Sequence, residues 1–203
     1  RPLFTADPLF HAGAYYVHEA SSMFLQQVLE QFASPGSTVL DLSAAPGGKS
    51  TLISRFLNKK GFLVSNEIVR SRAYILSENM IKWGNDNFLV CNNAPEDFKR
   101  LPSFFDVVVV DAPCSGEGMF RKDAGAIDEW SEQNVVVCAA RQKDILSGVW
   151  DTLKTDGILI YSTCTYNEAE NEYNVKWMED ELGAEVLHAD ISNFPEITAT
   201  EKG

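Results

Sequence analysis

Along the chain, short wholly apolar runs alternate with segments in which apolar residues recur every three or four positions. The clearest run is Val107-Val108-Val109-Val110, held between Asp106 and Asp111. No position in it alternates to polar, so it predicts a strand buried on both faces, as at the centre of a parallel sheet. Pro113 must end the ladder because it has no amide hydrogen, which leaves Asp111 and Cys114 at the strand's carboxyl end. Ligands of open α/β sheets bind at that edge.

The same reading predicts strands at Thr38 to Leu42, Gly61 to Asn66, Asn87 to Cys91 and Ile158 to Ser162, with another at Ala184 to Leu187. Between them fall helices at Lys49 to Leu57, Ser71 to Trp83, about Ser131 to Leu153 and about Glu168 to Leu182. A further helix, Ala20 to Phe32, carries Met23, Phe24, Leu25, Val28 and Phe32 on its apolar face, with Ser21 or Ser22 as cap and Pro35-Gly36 as stop. Strand and helix in alternation call for a doubly wound, mostly parallel α/β sheet with right-handed crossovers. Arg1 to Val17 has no sustained period, and Phe4, Phe10, Tyr15 and Tyr16 read there as packing residues. The expected organisation is a lead-in segment and helix over residues 1–35, packed on a single domain over residues 36–203.

Composition narrows the functional classes. A chain of 203 residues, 45% hydrophobic, can build one substantial core. No apolar run reaches membrane-spanning length and no basic-then-apolar leader stands at the start, so a cytoplasmic protein without a membrane partner is expected. The first residue is Arg1 and the end at Thr200-Glu201-Lys202-Gly203 lacks punctuation, which reads as part of a longer chain. Cys91, Cys114, Cys138 and Cys164 form no Cys-x-x-Cys pair and have no histidine at ligand spacing, so neither a metal site nor a disulfide framework is expected. Cys91 and Cys138 read as small core residues. A net charge of −12 predicts weak gripping of a phosphate backbone. Lys49, Arg121, Lys122 and Arg141 are candidates for a local basic rim, or for an ordinary solvated face.

The first strand leads into Leu42-Ser43-Ala44-Ala45-Pro46-Gly47-Gly48-Lys49-Ser50-Thr51. Small residues and a glycine pair before a helix let a ligand approach the backbone and the helix amino terminus. A phosphate-binding P-loop would need glycine where Ser43 stands, and the Gly-x-Gly-x-x-Gly fingerprint is absent. Glu67 closes the second strand about twenty residues beyond, where Rossmann-like folds place a ribose-binding acid. Asn93 follows the third strand and reads equally as an adenine contact or a loop residue. Cys114 and Cys164 each follow a buried strand at the same sheet edge, so two thiols facing one crevice suggest covalent chemistry.

Three blocks carry a resemblance to a family: Asp41 through Thr51; Asp111-Ala112-Pro113-Cys114-Ser115-Gly116-Glu117-Gly118-Met119-Phe120-Arg121-Lys122; and Ser162-Thr163-Cys164-Thr165 with Glu170-Asn171-Glu172 downstream. Together with Gly13 to Met23 they resemble Sun-type RNA cytosine-C5 methyltransferases, and most nearly the branch that modifies bacterial 16S ribosomal RNA. The resemblance implies a Rossmann-like class I methyltransferase, here without its last strand, and a reaction moving a methyl group from S-adenosylmethionine to carbon 5 of a cytosine in RNA. It implies that Ala44, Ala45, Pro46, Gly47, Gly48 and Lys49 hold the cofactor's methionine end, Glu67 its ribose and Asn93 its adenine, although an aspartate is usual at the position of Asn93. Asp111 is implied at the junction of cofactor and base, Cys164 as nucleophile and Cys114 in product release, with Lys49 and Asp111 orienting the base. Partners implied are RNA, ribosomal before transfer RNA, and flanking RNA-binding domains in the full-length protein. Rival readings are a DNA cytosine methyltransferase with Cys114 as nucleophile and a non-catalytic scaffold that only binds the cofactor.

Overall fold

The structure is a computed structural model that describes residues 3–194 and 197. The chain divides into two compact units. The first runs to Val110 and takes back Thr152–Ile160; the second holds Asp111–Asp151 and the chain from Tyr161 onward.

A five-stranded sheet carries the first unit. Its strands are β1 (Thr38–Asp41), β2 (Phe62–Asn66), β3 (Phe88–Cys91), β4 (Phe105–Asp111) and β5 (Leu153–Ser162), in the spatial order β3-β2-β1-β4-β5. β1 pairs in parallel with β2 and with β4, and β2 in parallel with β3, so their carboxyl ends share one edge. The four valines of β4 are at most 1% exposed, as a strand covered on both faces requires.

Helices α1 (Pro8–His11), α2 (Ala20–Phe32), α3 (Gly48–Leu57) and α4 (Arg70–Trp83) complete this unit. Its core joins Leu25 and Leu29 of α2, Ile53 and Leu57 of α3, and Leu76 and Met80 of α4 to the sheet residues Val39, Leu63, Val107 and Val109. The buried face of α2 is therefore centred on Leu25 and Leu29, and Met23, expected on it, is 53% exposed. Ser21 and Ser22 do not cap α2 either; it starts at Ala20 after an extended Glu19, which puts both serines inside the first turn. In the lead-in, Phe10 packs edge-on against Phe4, tilts against Tyr15 and lies under the Lys82 ammonium, consistent with packing residues.

The second unit contains α5 (Gly125–Glu129), α6 (Glu132–Trp150) and α7 (Glu172–Leu182). The Ser131 hydroxyl accepts the Asn134 N–H and caps α6. Three boundaries differ from the sequence reading. α6 stops at Trp150 and β5 begins at Leu153, five residues before Ile158, so the polar stretch Lys154-Thr155-Asp156-Gly157, with Asp156 at φ 60°, lies inside the strand. α7 begins at Glu172 because Asn171 is non-helical (φ −115°, ψ −90°) and Glu170 turns inward. The strand expected at Ala184 to Leu187 is absent among the described residues; the segment is irregular, and with Leu187 50% exposed it has too little apolar surface to bury beside a sheet. Among the described residues no helix is long and apolar enough to cross a membrane.

Candidate active site

In the first unit, the carboxyl ends of β1, β2 and β3 deliver the loop before α3, Glu67 and Asn93 to one edge. The loop is rigid because its carbonyls are held: Arg72 Nη2 donates to Ala45 O (2.9 Å) and Asn79 Nδ2 to Pro46 O (2.8 Å). Gly47 sits at φ 118°, a conformation that side chains disfavour, and lets α3 begin at Gly48. Behind it, the Ser50 hydroxyl donates to Asp41 Oδ2 (2.7 Å) and lies 2.8 Å from Ser65 Oγ, all three residues wholly buried. Lys49 stands half-buried in the first turn of α3.

Glu67 is 2% exposed. Its Oε1 accepts the Val69 N–H (2.9 Å); its Oε2 is buried, makes no hydrogen bond and lies 3.5 Å from Arg72 Nη1. A buried carboxylate oxygen without a hydrogen bond is costly unless a ligand donor meets it. Asn66, which sequence reasoning passed over, ties the edge together: Nδ2 donates to Leu42 O and Asn93 O (3.1 Å each), and Oδ1 accepts the Asn93 N–H (2.9 Å). Its signal was a polar residue closing an apolar strand. The Asn93 side chain itself is exposed, with Nδ2 3.4 Å from Asp97 Oδ2. An acidic acceptor beside a glycine-turned helix start fits the ribose and amino-acid ends of a nucleoside cofactor.

The second unit holds the thiols. Cys114 Sγ and Cys164 Sγ are 2.9 Å apart, and the Cys164 N–H donates to Cys114 Sγ (3.3 Å). Cys164 is exposed and Cys114 half-buried. The S–H of Cys114, hydrogen-bonded to its neighbour, stabilises a thiolate on Cys164 and lowers that pKa to about 7, against opposition from burial and from the charge of Asp111. Cys114 is pushed up, first by the same hydrogen bond and then by burial, although the N–H groups of Cys164 and Gly116 pull the other way. Above about pH 7 the pair thus shares one proton, with the charge on the outer sulfur. Iodoacetamide alkylation of Cys164 is expected to rise with pH to a half-maximum near 7, and Cys114→Ala to move that midpoint up toward the ordinary thiol range of about 8.5. A pH–rate series on both proteins measures it.

Asp111 Oδ1 accepts the Ser162 hydroxyl (2.8 Å), which fixes the carboxylate at the end of β4. The loop after Cys114 wraps the Cys164 peptide closely: the Gly118 N–H donates to Cys164 O (2.7 Å), and a methyl group on Gly118 would stand 2.5 Å from that oxygen. Gly118→Ala must therefore displace the Cys164 backbone. A loss of about 10²-fold in methyl transfer is expected from such a misplacement, measured with labelled cofactor. Arg121, Lys122 and Arg141 are exposed in this unit. Of the other cysteines, Cys138 is buried and Cys91 only half-buried, its thiol pushed up to about 11 by burial. Among the described residues no cluster has the makings of a metal site.

Comparison with known proteins gives this arrangement a family. The sequence profile of the 16S rRNA methyltransferase RsmB/F family matches residues 28–202. The chain belongs to that family. It is 39% identical over 196 residues to ribosomal RNA small subunit methyltransferase F of Vibrio atlanticus, covering 95% of this chain and 41% of that protein. The namesake from Pectobacterium atrosepticum is also 39% identical, over 83% of this chain and 35% of its own length. The chain thus spans well under half of these curated relatives. Among solved structures, NSun6 from Pyrococcus horikoshii with SFG superposes with a TM-score of 0.79 at 28% identity, over 89% of this chain and 46% of that one. A methyltransferase homologue from the same organism gives 0.76 at 28% identity, over 89% and 56%. For a member of the RsmB/F family, a Rossmann-like sheet of S-adenosylmethionine-dependent type is the observed fold.

Proposed function

We propose that this RsmB/F-family chain is the catalytic core of an enzyme that methylates carbon 5 of a cytosine in 16S ribosomal RNA through a covalent adduct at carbon 6. The observation that carries the reading is the thiol pair: the exposed Cys164 sulfur lies 2.9 Å from the half-buried Cys114 sulfur. The family membership supports the methyl-transfer class, and the RNA in the relatives' names supports the substrate.

S-adenosylmethionine, when bound, supplies an electrophilic methyl group. Ala44 to Lys49 would hold its methionine end, Glu67 Oε2 would accept from its ribose hydroxyls and Asn93 would meet its adenine. Carbon 5 of cytosine is a weak nucleophile, so the Cys164 thiolate adds to carbon 6 and pushes electron density onto carbon 5. Asp111, whose carboxylate accepts the Ser162 hydroxyl, would orient the base, and we assign Lys49 the same task. The base must leave its stack to reach a thiol. Once Cys164 is bonded to carbon it no longer carries charge, and the chief influence holding Cys114 protonated is gone. Cys114 can then give its proton to solvent, take the proton from carbon 5, and let the carbon–sulfur bond break with its electron pair returning to Cys164.

With a net charge of −12, the chain alone is expected to hold RNA weakly; filter binding of a 16S transcript at physiological salt should show little retention. RNA-binding segments elsewhere in the full-length protein would supply the grip. Transfer of labelled methyl groups to ribosomal RNA, with bisulfite sequencing of RNA from cells with and without the gene, tests the proposal. A gene-dependent 5-methylcytosine in 16S ribosomal RNA is expected; a site in transfer RNA redirects the substrate, and no methyl transfer favours a scaffold.

A further inference from the structure

The run Glu170-Asn171, just ahead of α7, has no role in the steps above, yet each of its side chains straddles one cysteine. Glu170 is 0% exposed, and its Oε2 accepts the N–H of Ser115 (3.0 Å), the residue after Cys114. The same oxygen accepts from Gln142 Nε2 (2.8 Å), which also donates to the carbonyl of Pro113 (3.0 Å), the residue before Cys114. Asn171 does the matching work at the other thiol. Its Oδ1 accepts the hydroxyl of Thr163 (2.6 Å) and its Nδ2 donates to the carbonyl of Thr165 (3.2 Å), the residues on either side of Cys164. A bond between the Ser115 and Thr165 hydroxyls (3.0 Å) closes the frame.

We infer that Glu170 and Asn171 form a two-armed positioning device that holds Cys114 and Cys164 within hydrogen-bonding distance from behind, leaving the outer sulfur open to substrate. Neither residue touches a reacting atom. Adjacent residues at one helix entry cannot move independently, so fixing one arm fixes the register of the other. Hydrogen bonds from charged or amide groups in a dry interior are also the strong ones. The groups that bear electrostatically on the Cys164 sulfur are Cys114, Asp111 and Glu170, and Cys114 in turn bears on Tyr161. The Cys114 hydrogen bond is the largest influence favouring the Cys164 thiolate, ahead of the backbone N–H of Cys164 itself, so its reactivity reports chiefly the spacing of the pair. The bearing of the device on catalysis rests on the reading of Cys164 as nucleophile. Alkylation reads the thiols without RNA or cofactor, so either idea can fail alone.

The test is the pH midpoint of iodoacetamide alkylation of Cys164 in the 203-residue chain. Asn171→Ala and the near-isosteric Thr163→Val cut one arm from opposite ends. Each is expected to raise the midpoint by about one unit or more toward the free-thiol range, and the double variant to rise by less than the sum of the two, since they share the Thr163–Asn171 bond. Glu170→Gln keeps a carbonyl oxygen for Ser115 and Gln142 while losing the buried charge, so its midpoint should not rise; Glu170→Ala should lie above it. If Asn171→Ala and Thr163→Val lower the unfolding temperature but keep the wild-type midpoint, the pair of residues is structural only and the inference is overturned. Equal midpoints for Glu170→Gln and Glu170→Ala overturn the first arm.

Discussion

Cys164→Ala is expected to abolish methyl transfer to RNA, by on the order of 10⁴-fold or more, while leaving the fold intact. Without the thiolate nothing activates carbon 5, and the neighbouring thiol is a poor substitute: Cys114 is half-buried, and burial still pushes its thiol up when Cys164 is gone. The side chain is exposed, so its truncation leaves no cavity. Cys114→Ala should behave differently. It keeps the nucleophile but loses the hydrogen bond that makes Cys164 acidic and the group that takes the carbon 5 proton, so the first half of the reaction slows and the covalent complex accumulates. Turnover of labelled methyl groups, beside a denaturing gel for protein bound to RNA, separates the two. A Cys114→Ala enzyme that is wholly inactive and forms no complex, with Cys164→Ala still active, would reverse the assignment.

Glu67→Ala is expected to weaken S-adenosylmethionine binding by about 10²-fold. Two ribose hydroxyls donating to a carboxylate make charge-assisted bonds worth roughly 1.5–3 kcal/mol each, of which part returns as solvation when the site empties. The loss should be selective. Within the protein Glu67 accepts one N–H, from Val69, and pairs at 3.5 Å with Arg72, whose half-exposed guanidinium returns to solvent when the acid is removed, so the unfolding temperature should change little. Glu67→Gln, which keeps the shape and one acceptor, should fall between. Isothermal titration with the cofactor and with a carbocyclic analogue lacking the ribose hydroxyls measures this; equal affinities of wild type and Glu67→Ala would remove Glu67 from the cofactor site.

The alternation of β and α was legible because a strand covered on both faces leaves an unbroken apolar run. Val107–Val110 could be nothing else. The order of strands was not legible in that pattern, because β4 crosses back to pair with β1 rather than with β3, its predecessor in the chain. Less legible was anything governed by one residue's turn. The start of β5 falls in a polar stretch that carries no strand pattern, and the inward turn of Glu170, ahead of the late start of α7, is made by contacts with Ser115 and Gln142 far along the chain. At Ala184 to Leu187 the pattern had too few apolar positions to tell a strand from an extended coil.

In the site, the two cysteines could be placed near one another from their positions after strands, but not at 2.9 Å, and not with the charge on Cys164. Around that geometry stand Gln142, Glu170 and Asn171; the sequence offered Glu170 and Asn171 as part of a family block without the contacts they make, and Gln142 as an ordinary helix residue. Gln142 is 0% exposed in the middle of α6, and nothing in its neighbours Arg141 and Lys143 announces it. Asn66 escaped notice for the same reason, its role being to bridge two loops distant in sequence.

The most direct measurement is peptide mapping of the complex trapped on RNA carrying 5-azacytidine in place of cytosine, in the presence of S-adenosylmethionine. The predicted result is a nucleotide attached to the peptide that contains Cys164, retained in Cys114→Ala and lost in Cys164→Ala. Attachment at Cys114, or a complex that persists without Cys164, would contradict the account.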